Sequence, residues 1–253
     1  MNQAMTAVLV IAGALVTLDA AVRVTSTVLG RTVGHGWRAK QLLRHLGANE
    51  TGRYFEAILG VPAVESDLGE LHERVWADRL YFVQALTDSD DRVVVYSVTS
   101  RTQRFRIAVP FPGGGRYWSD QRSPLTATLG KSSFLGAGVD PERVSGSRGA
   151  RRFWYSEVFG FGNPGHYQHL ILSVNDAGFI SDGASDLISK LPILGGSETD
   201  QSVALLPELS GAREQARPNT YSVTAPHFDA FKTEAHEGAF GVDSDTVRVL
   251  PVW

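Results

Sequence analysis

The chain has 253 residues and not one cysteine. That absence excludes disulfides, thiolate metal sites, cysteine nucleophiles and the acylated cysteine of a lipoprotein. An excess of either charge is lacking too: 24 basic against 27 acidic residues leave a net −3, which is no footprint for nucleic acid. Catalytic signatures are also missing. There is no Gly-x-Ser-x-Gly, and Ser145-Gly-Ser147 does not supply the strained turn such a nucleophile needs. Gly130-Lys131-Ser132 resembles the end of a phosphate loop, but position 125 is leucine where a glycine must let the backbone approach phosphate. Asp88, Asp90 and Asp91 lack the glycine and closing glutamate of a calcium loop. The expectation is a protein with no cofactor, no metal and no nucleic-acid partner, and a binding module rather than an enzyme.

One long apolar run is present. Ala4 to Leu18 carries no charge, and extension to Val22 gives a stretch broken only by Asp19. About 20 helical residues cross a hydrocarbon core of about 30 Å, so residues 1–24 read as a transmembrane anchor with Asp19 near its end. A cleaved signal peptide needs a basic start, and no Lys or Arg precedes Arg23. Arg23, Arg31, Arg38, Lys40 and Arg44 follow the run; basic flanks stay cytoplasmic, which places the soluble domain in the cytoplasm of a single-pass protein of the cell membrane. Those five cations against Asp19 give residues 1–48 a net +4, leaving −7 for the rest of a chain that totals −3. The basic segment suits anionic headgroups, making membrane lipid one expected partner.

The remainder divides into a juxtamembrane helical segment over 25–59 and a β-rich soluble domain over 60–253. Trp37, Leu42, Leu43, Leu46, Tyr54, Phe55, Ile58 and Leu59 recur near helical spacing, with a break over Gly47 to Thr51. Arg74 to Leu86 then reads as one strand, Asp88 to Asp91 as a turn, and Arg92 to Thr99 as a second strand. Thr102 to Pro110 is expected to extend the sheet. The pattern repeats as Arg152 to Phe161, a turn at Gly162 to Gly165, and Tyr167 to Val174, with Leu172-Ser173-Val174 matched to Tyr96-Ser97-Val98. Ser185 to Leu191 suggests a short helix, 195–220 a long loop, and Thr246 to Val252 a last strand. The fold class is therefore α+β: an N-terminal transmembrane helix, short helices, and a mainly antiparallel sheet built from two related hairpin units.

The unit of Leu-Gly, an aromatic strand, a turn and a second strand resembles the repeat of β-lactamase inhibitor proteins and of small outer-membrane assembly lipoproteins. Leu59, Gly60, Pro62, Trp76 and Tyr81 carry it in the first copy, and Leu129, Gly130, Trp154 and Tyr155 in the second. It covers roughly residues 55–180 and departs from those lipoproteins in lacking their cysteine. Phe159 to Gly165, Tyr167-Gln168 and Ser173 to Gly178 are similar to a family of uncharacterised bacterial proteins held in a membrane by one span. That resemblance implies an N-terminal span and a soluble domain, and no catalytic residues.

Candidate site residues follow from the aromatics. Trp76, Tyr81, Trp154, Tyr155 and Tyr167 concentrate on the expected sheet, beside the basic spot of Arg151 and Arg152; as Tyr and Trp anchors they would take a protein or small ligand on the sheet face. The competing reading of the same rings is core. A hydrolase would use His166 and His169, or His227 and Asp229. On a strand, however, His166 and His169 would point to opposite faces, and either set needs a third group. A third reading is a membrane-disrupting immune effector with a β-rich sensor domain, which rests on the architecture alone.

Overall fold

The computed structural model describes residues 34–110, 128–134, 140–149, 152–161, 168–191, 206–226, 228, 240–248 and 250. The expected membrane segment Ala4–Val24 lies outside them. Among the described residues no helix is long and apolar enough to cross a membrane. The chain divides into two compact units, 1–44 and 45–253. In the first, residues 34–43 form helix α1, which buries Ala39 and Leu43 and exposes Trp37.

The second unit is built on one antiparallel sheet of eight strands. Helix α2 (Gly52–Leu59) precedes strands β1 (Val64–Leu68), β2 (Leu71–Ala77), β3 (Tyr81–Thr87), β4 (Val93–Ser100), β5 (Arg143–Arg148), β6 (Phe153–Phe161) and β7 (Gln168–Asn175). Helices α3 (Ala184–Ser189) and α4 (Leu206–Gln215), strand β8 (Thr220–Thr224) and helix α5 (Ser244–Arg248) complete it. The spatial order is β1-β2-β3-β4-β8-β7-β6-β5. Strand β8 is thus the keystone: it pairs with β4 on one side and β7 on the other. The hairpins β3–β4 and β6–β7 flank it, with β4 and β7 parallel to each other.

Register assigns each side chain to a face. Val83, Val98, Tyr221, Leu172 and Glu157 share one rung, and Ala85, Tyr96, Val223, Leu170 and Phe159 the next. This face holds the main apolar core. Phe55 of α2 packs against Trp76 and Tyr96, and Phe134 meets Tyr155 edge-on. The opposite face is made differently. Its central rungs run Gln84, Ser97, Ser222, Ile171 and Phe82, Thr99, Thr220, Ser173, Ser156. Described parts of the segment after β8 cover it: Val242 and Leu250 pack with Val75 and Phe82, and Phe228 and Phe240 with Leu86, Val95, Val158 and Ile171.

Four expected elements differ. Arg74 to Leu86 is two strands, because Asp78 accepts the Leu80 N–H at 2.8 Å and turns the chain without glycine or proline. The expected loop over 195–220 contains α4. Of the expected last strand, Thr246 to Arg248 belong instead to helix α5, begun by Asp243, whose carboxylate accepts the Thr246 N–H at 2.6 Å. Beyond β4, Ala108 makes a single bridge to Thr128 rather than a further strand.

Candidate functional site

The aromatic residues are interior. Trp76, Tyr81, Trp154 and Tyr155 are all buried. Trp76 donates its indole N–H to the Gly60 carbonyl at 2.7 Å. Tyr81 stacks on Phe105. Trp154 and Tyr155 are neighbours on β6 and point to opposite faces, Tyr155 toward the helices and Trp154 away from them. Arg152 is exposed and pairs with Asp245 of α5. Tyr167, Arg151, His166, His227 and Asp229 lie outside the described residues. His169 is on β7, where its backbone N–H donates to Thr224 Oγ1 at 2.8 Å. The four described rings therefore belong to the core and do not form a presented face.

A surface depression of about 590 Å³ opens where α2 begins, lined by Thr51, Arg53, Glu56, Arg74, Ser89, Asp90 and Asp91. Local sequence explains its shape. Thr51 caps α2 by accepting the Tyr54 N–H at 3.1 Å. Asp88 accepts the N–H groups of Asp90 and Arg92 and closes the β3–β4 turn, in which Asp91 takes a left-handed φ of 61°. The turn is tied to the helix start by Gly52 N–H to the Asp91 carbonyl and Arg53 N–H to the Asp91 carboxylate. Gly52 is required there, since any side chain would run into the Arg74 guanidinium and the Asp91 carboxylate.

Arg74 forms the floor. Its Nη1 donates to Asp91 at 2.6 Å, while Nε lies 3.5 Å from Glu56 and is buried without a hydrogen-bond partner. Desolvation pushes the Asp91 carboxyl up, but the Arg74 hydrogen bond, the Arg53 N–H and the two guanidinium charges outweigh it, holding the group below the ordinary carboxylate range. The site thus presents two guanidiniums, three carboxylates and two hydroxyls at one opening.

The second polar feature is the covered face of the sheet. Ser97 and Ser222 hydroxyls pair at 2.7 Å, and Ser156 and Ser173 at 2.9 Å. Asn175 donates to Thr220 Oγ1, which donates to Thr99 Oγ1. Gly241 donates its N–H to Gln84 Oε1, and Gln84 is held by Glu73, which Ser66 also reaches. Gly241, described on this face, has no strand ladder for its own backbone, so a polar side chain below serves its N–H. At the end of β7, burial raises the Asp176 carboxyl; hydrogen bonding from Ser244 opposes this, and the Asp243 charge adds to the rise. Among the described residues no group of three or more His, Asp or Glu side chains is placed to hold a metal ion.

In the sequence the aspartates at 88, 90 and 91 read as a turn and Arg74 as part of a strand. The signal for their meeting was Thr51-Gly52, a helix cap followed by a residue with no side chain, which lets a guanidinium and a carboxylate converge on the helix start. No protein-family model, no curated protein and no solved structure matches the chain.

Proposed function

We propose that the chain is a membrane-tethered binding module that senses a small zwitterionic ligand in the depression at the start of α2. The observation that carries the reading is the concave opening itself, where the guanidiniums of Arg53 and Arg74 and the carboxylates of Glu56, Asp90 and Asp91 line one depression. Arg74 and Arg53 suit a ligand carboxylate or carbonyl oxygen, and Glu56 and Asp90 an ammonium. The lining, with two cations and three anions, does not suit a polyanion.

The tether is supported by the uncharged run from Ala4 to Leu18 and the basic residues after it. A single N-terminal span, with the β-rich domain on the cytoplasmic side, remains the reading of that segment. The hairpins β3–β4 and β6–β7 are read as two related units, supported by their equivalent places on either side of β8.

A thermal-shift panel of free amino acids and dipeptides, run on the full chain in detergent, tests the ligand. At least one zwitterion is expected to raise Tm, and the shift should be lost in Arg53→Ala, whose side chain is exposed. If no zwitterion shifts Tm, or Arg53→Ala retains the shift, the site assignment falls. The tether is tested separately: full-length protein released from broken cells without detergent would end it.

A further inference from the structure

The side of α1 turned away from Ala39 and Leu43 is both aromatic and basic. Trp37 is 64% exposed, the highest value for any aromatic side chain among the exposed large hydrophobics, and Leu42 is exposed too. At about 100° per residue, Trp37, Arg38, Gln41 and Leu42 fall on one side of the helix and Ala39 and Leu43 on the other. Arg38 and Arg44 are exposed and Lys40 is half-buried at the flank. An indole set among apolar and cationic neighbours is poorly placed in bulk water. It is well placed at a bilayer interface, where its ring meets the acyl boundary and its N–H the headgroups.

Charge narrows the occupant. Between Asp19 and Glu50 there is no carboxylate, while Arg23, Arg31, Arg38, Lys40 and Arg44 all lie there. A protein partner would be free to present either sign of charge to this surface. An anionic leaflet matches it along its whole length. Position also fits: Gly34 is ten residues past Val24, a reach of about 35 Å at most, so a bilayer entered by the apolar run stays within range of the helix.

We infer that the Trp37–Arg38–Leu42 face of α1 lies on the headgroups of an anionic bilayer, with Trp37 as its interfacial anchor and Arg38 and Arg44 on lipid phosphates. The inference rests on the membrane-tethered reading above and is independent of the ligand proposed there. It makes α1 an interfacial helix as well as a connector.

The absence of cysteine gives a clean test. Gln41→Cys in the full chain, labelled with an environment-sensitive dye, reports the exposed side of α1 alone. The protein is placed in nanodiscs of phosphatidylcholine, with or without phosphatidylglycerol. The dye should shift to shorter wavelength and be quenched by nitroxide-labelled lipid when phosphatidylglycerol is present. High salt should reverse this, and Trp37→Ser should abolish it. Arg38→Gln and Arg44→Gln should each lower the docked-to-free ratio roughly fivefold. A dye that remains in water in both discs, with the chain still incorporated, overturns the docking and leaves the tether standing. Equal shielding in neutral discs, without quenching by nitroxide-labelled lipid, means that protein covers the face, and equal shielding with quenching means that anionic headgroups do not hold it; either result overturns the assignment. A chain that enters neither disc removes the tether and this inference together.

Discussion

Arg213 on α4 and Glu157 on β6 form a sealed ion pair: Nε to Oε1 at 2.6 Å and Nη2 to Oε2 at 2.9 Å, with Arg213 3% exposed and Glu157 not at all. Tyr155 donates to the same carboxylate at 2.7 Å. Desolvation alone would lower the guanidinium pKa, but the Glu157 hydrogen bond and charge more than offset it and raise the group above its ordinary value. The pair fastens α4 onto β6. Removal of one partner strands a buried charge. Glu157→Gln or Arg213→Met should each cost about 3–5 kcal/mol, and replacement of both by hydrophobic residues should recover most of it. Urea denaturation of the two single variants and the double variant checks this; additive losses would refute it.

Ser97 and Ser222 make a second paired test in a neutral setting. Each hydroxyl is buried and they hydrogen-bond across β4 and β8. Alanine at one position leaves the other hydroxyl unsatisfied, at a cost of about 1–3 kcal/mol, whereas alanine at both should cost less than the two single losses combined. A thermodynamic cycle measures the difference directly. Zero coupling would mean that the segment over this face, and not the partner serine, satisfies the hydroxyls.

The parts of the fold legible in sequence are those with local causes. The β3–β4 turn was visible in Asp88 to Asp91, and α3 in the pattern after the turn at Gly178. Strand β8 was hidden although it joins the two halves of the sheet. Thr220-Tyr-Ser-Val-Thr224 alternates, but polar residues fill one phase and all five are buried, so hydropathy reads it as a loop edge. Helix α4 was hidden because its inward face includes Arg213 beside Leu206, Leu209 and Ala212, and a buried arginine looks solvent-facing until Glu157 is placed opposite. In Thr246 to Arg248, β-branched residues suggest a strand, and the Asp243 cap overrides them. The depression at α2 needed Arg74 and Asp91, 17 positions apart, to converge on a glycine, which no local pattern encodes.

Two aspartates should give opposite pH signatures. The Asp91 carboxyl is held below its ordinary value, so it contributes stability above the unfolded carboxylate pKa, and that contribution is lost as pH falls through the lower folded value. Asp91→Asn should therefore be less stable than the parent at neutral pH and converge with it in acid. The Asp176 carboxyl is raised, mainly by burial, so its favourable contribution is present in acid and lost as pH rises through the folded value. Asp176→Asn should then be more stable than the parent at neutral pH, with the advantage fading as pH falls through the raised folded value and gone below about pH 4. Melting curves from about pH 3 to pH 8 distinguish the two, and the same sign for both variants would contradict the assigned environments.

Gly241 and Gly211 predict opposite results from one substitution. Gly241 has φ 113°, and a Cβ there would lie 2.6 Å from Asn175 Nδ2 and 2.9 Å from Thr220 Cγ2. Asn175 cannot yield easily: its Nδ2 is engaged by Thr220 and its Oδ1 accepts the Gly178 N–H. Gly241→Ala should cost about 1–3 kcal/mol from overpacking, with added strain from its positive φ. The loss should concentrate where Gly241 donates to Gln84, so protease cleavage between 226 and 250 should rise before global unfolding. Gly211 lies on the exposed side of α4 with nothing within 4 Å of its virtual Cβ. Gly211→Ala should stabilise the chain by about 0.5–1 kcal/mol, because alanine loses less backbone freedom in a helix. If Gly241→Ala were as harmless as Gly211→Ala, Gly241 could not be seated against Asn175 and Thr220, and the polar face of the sheet would have to be open at that point.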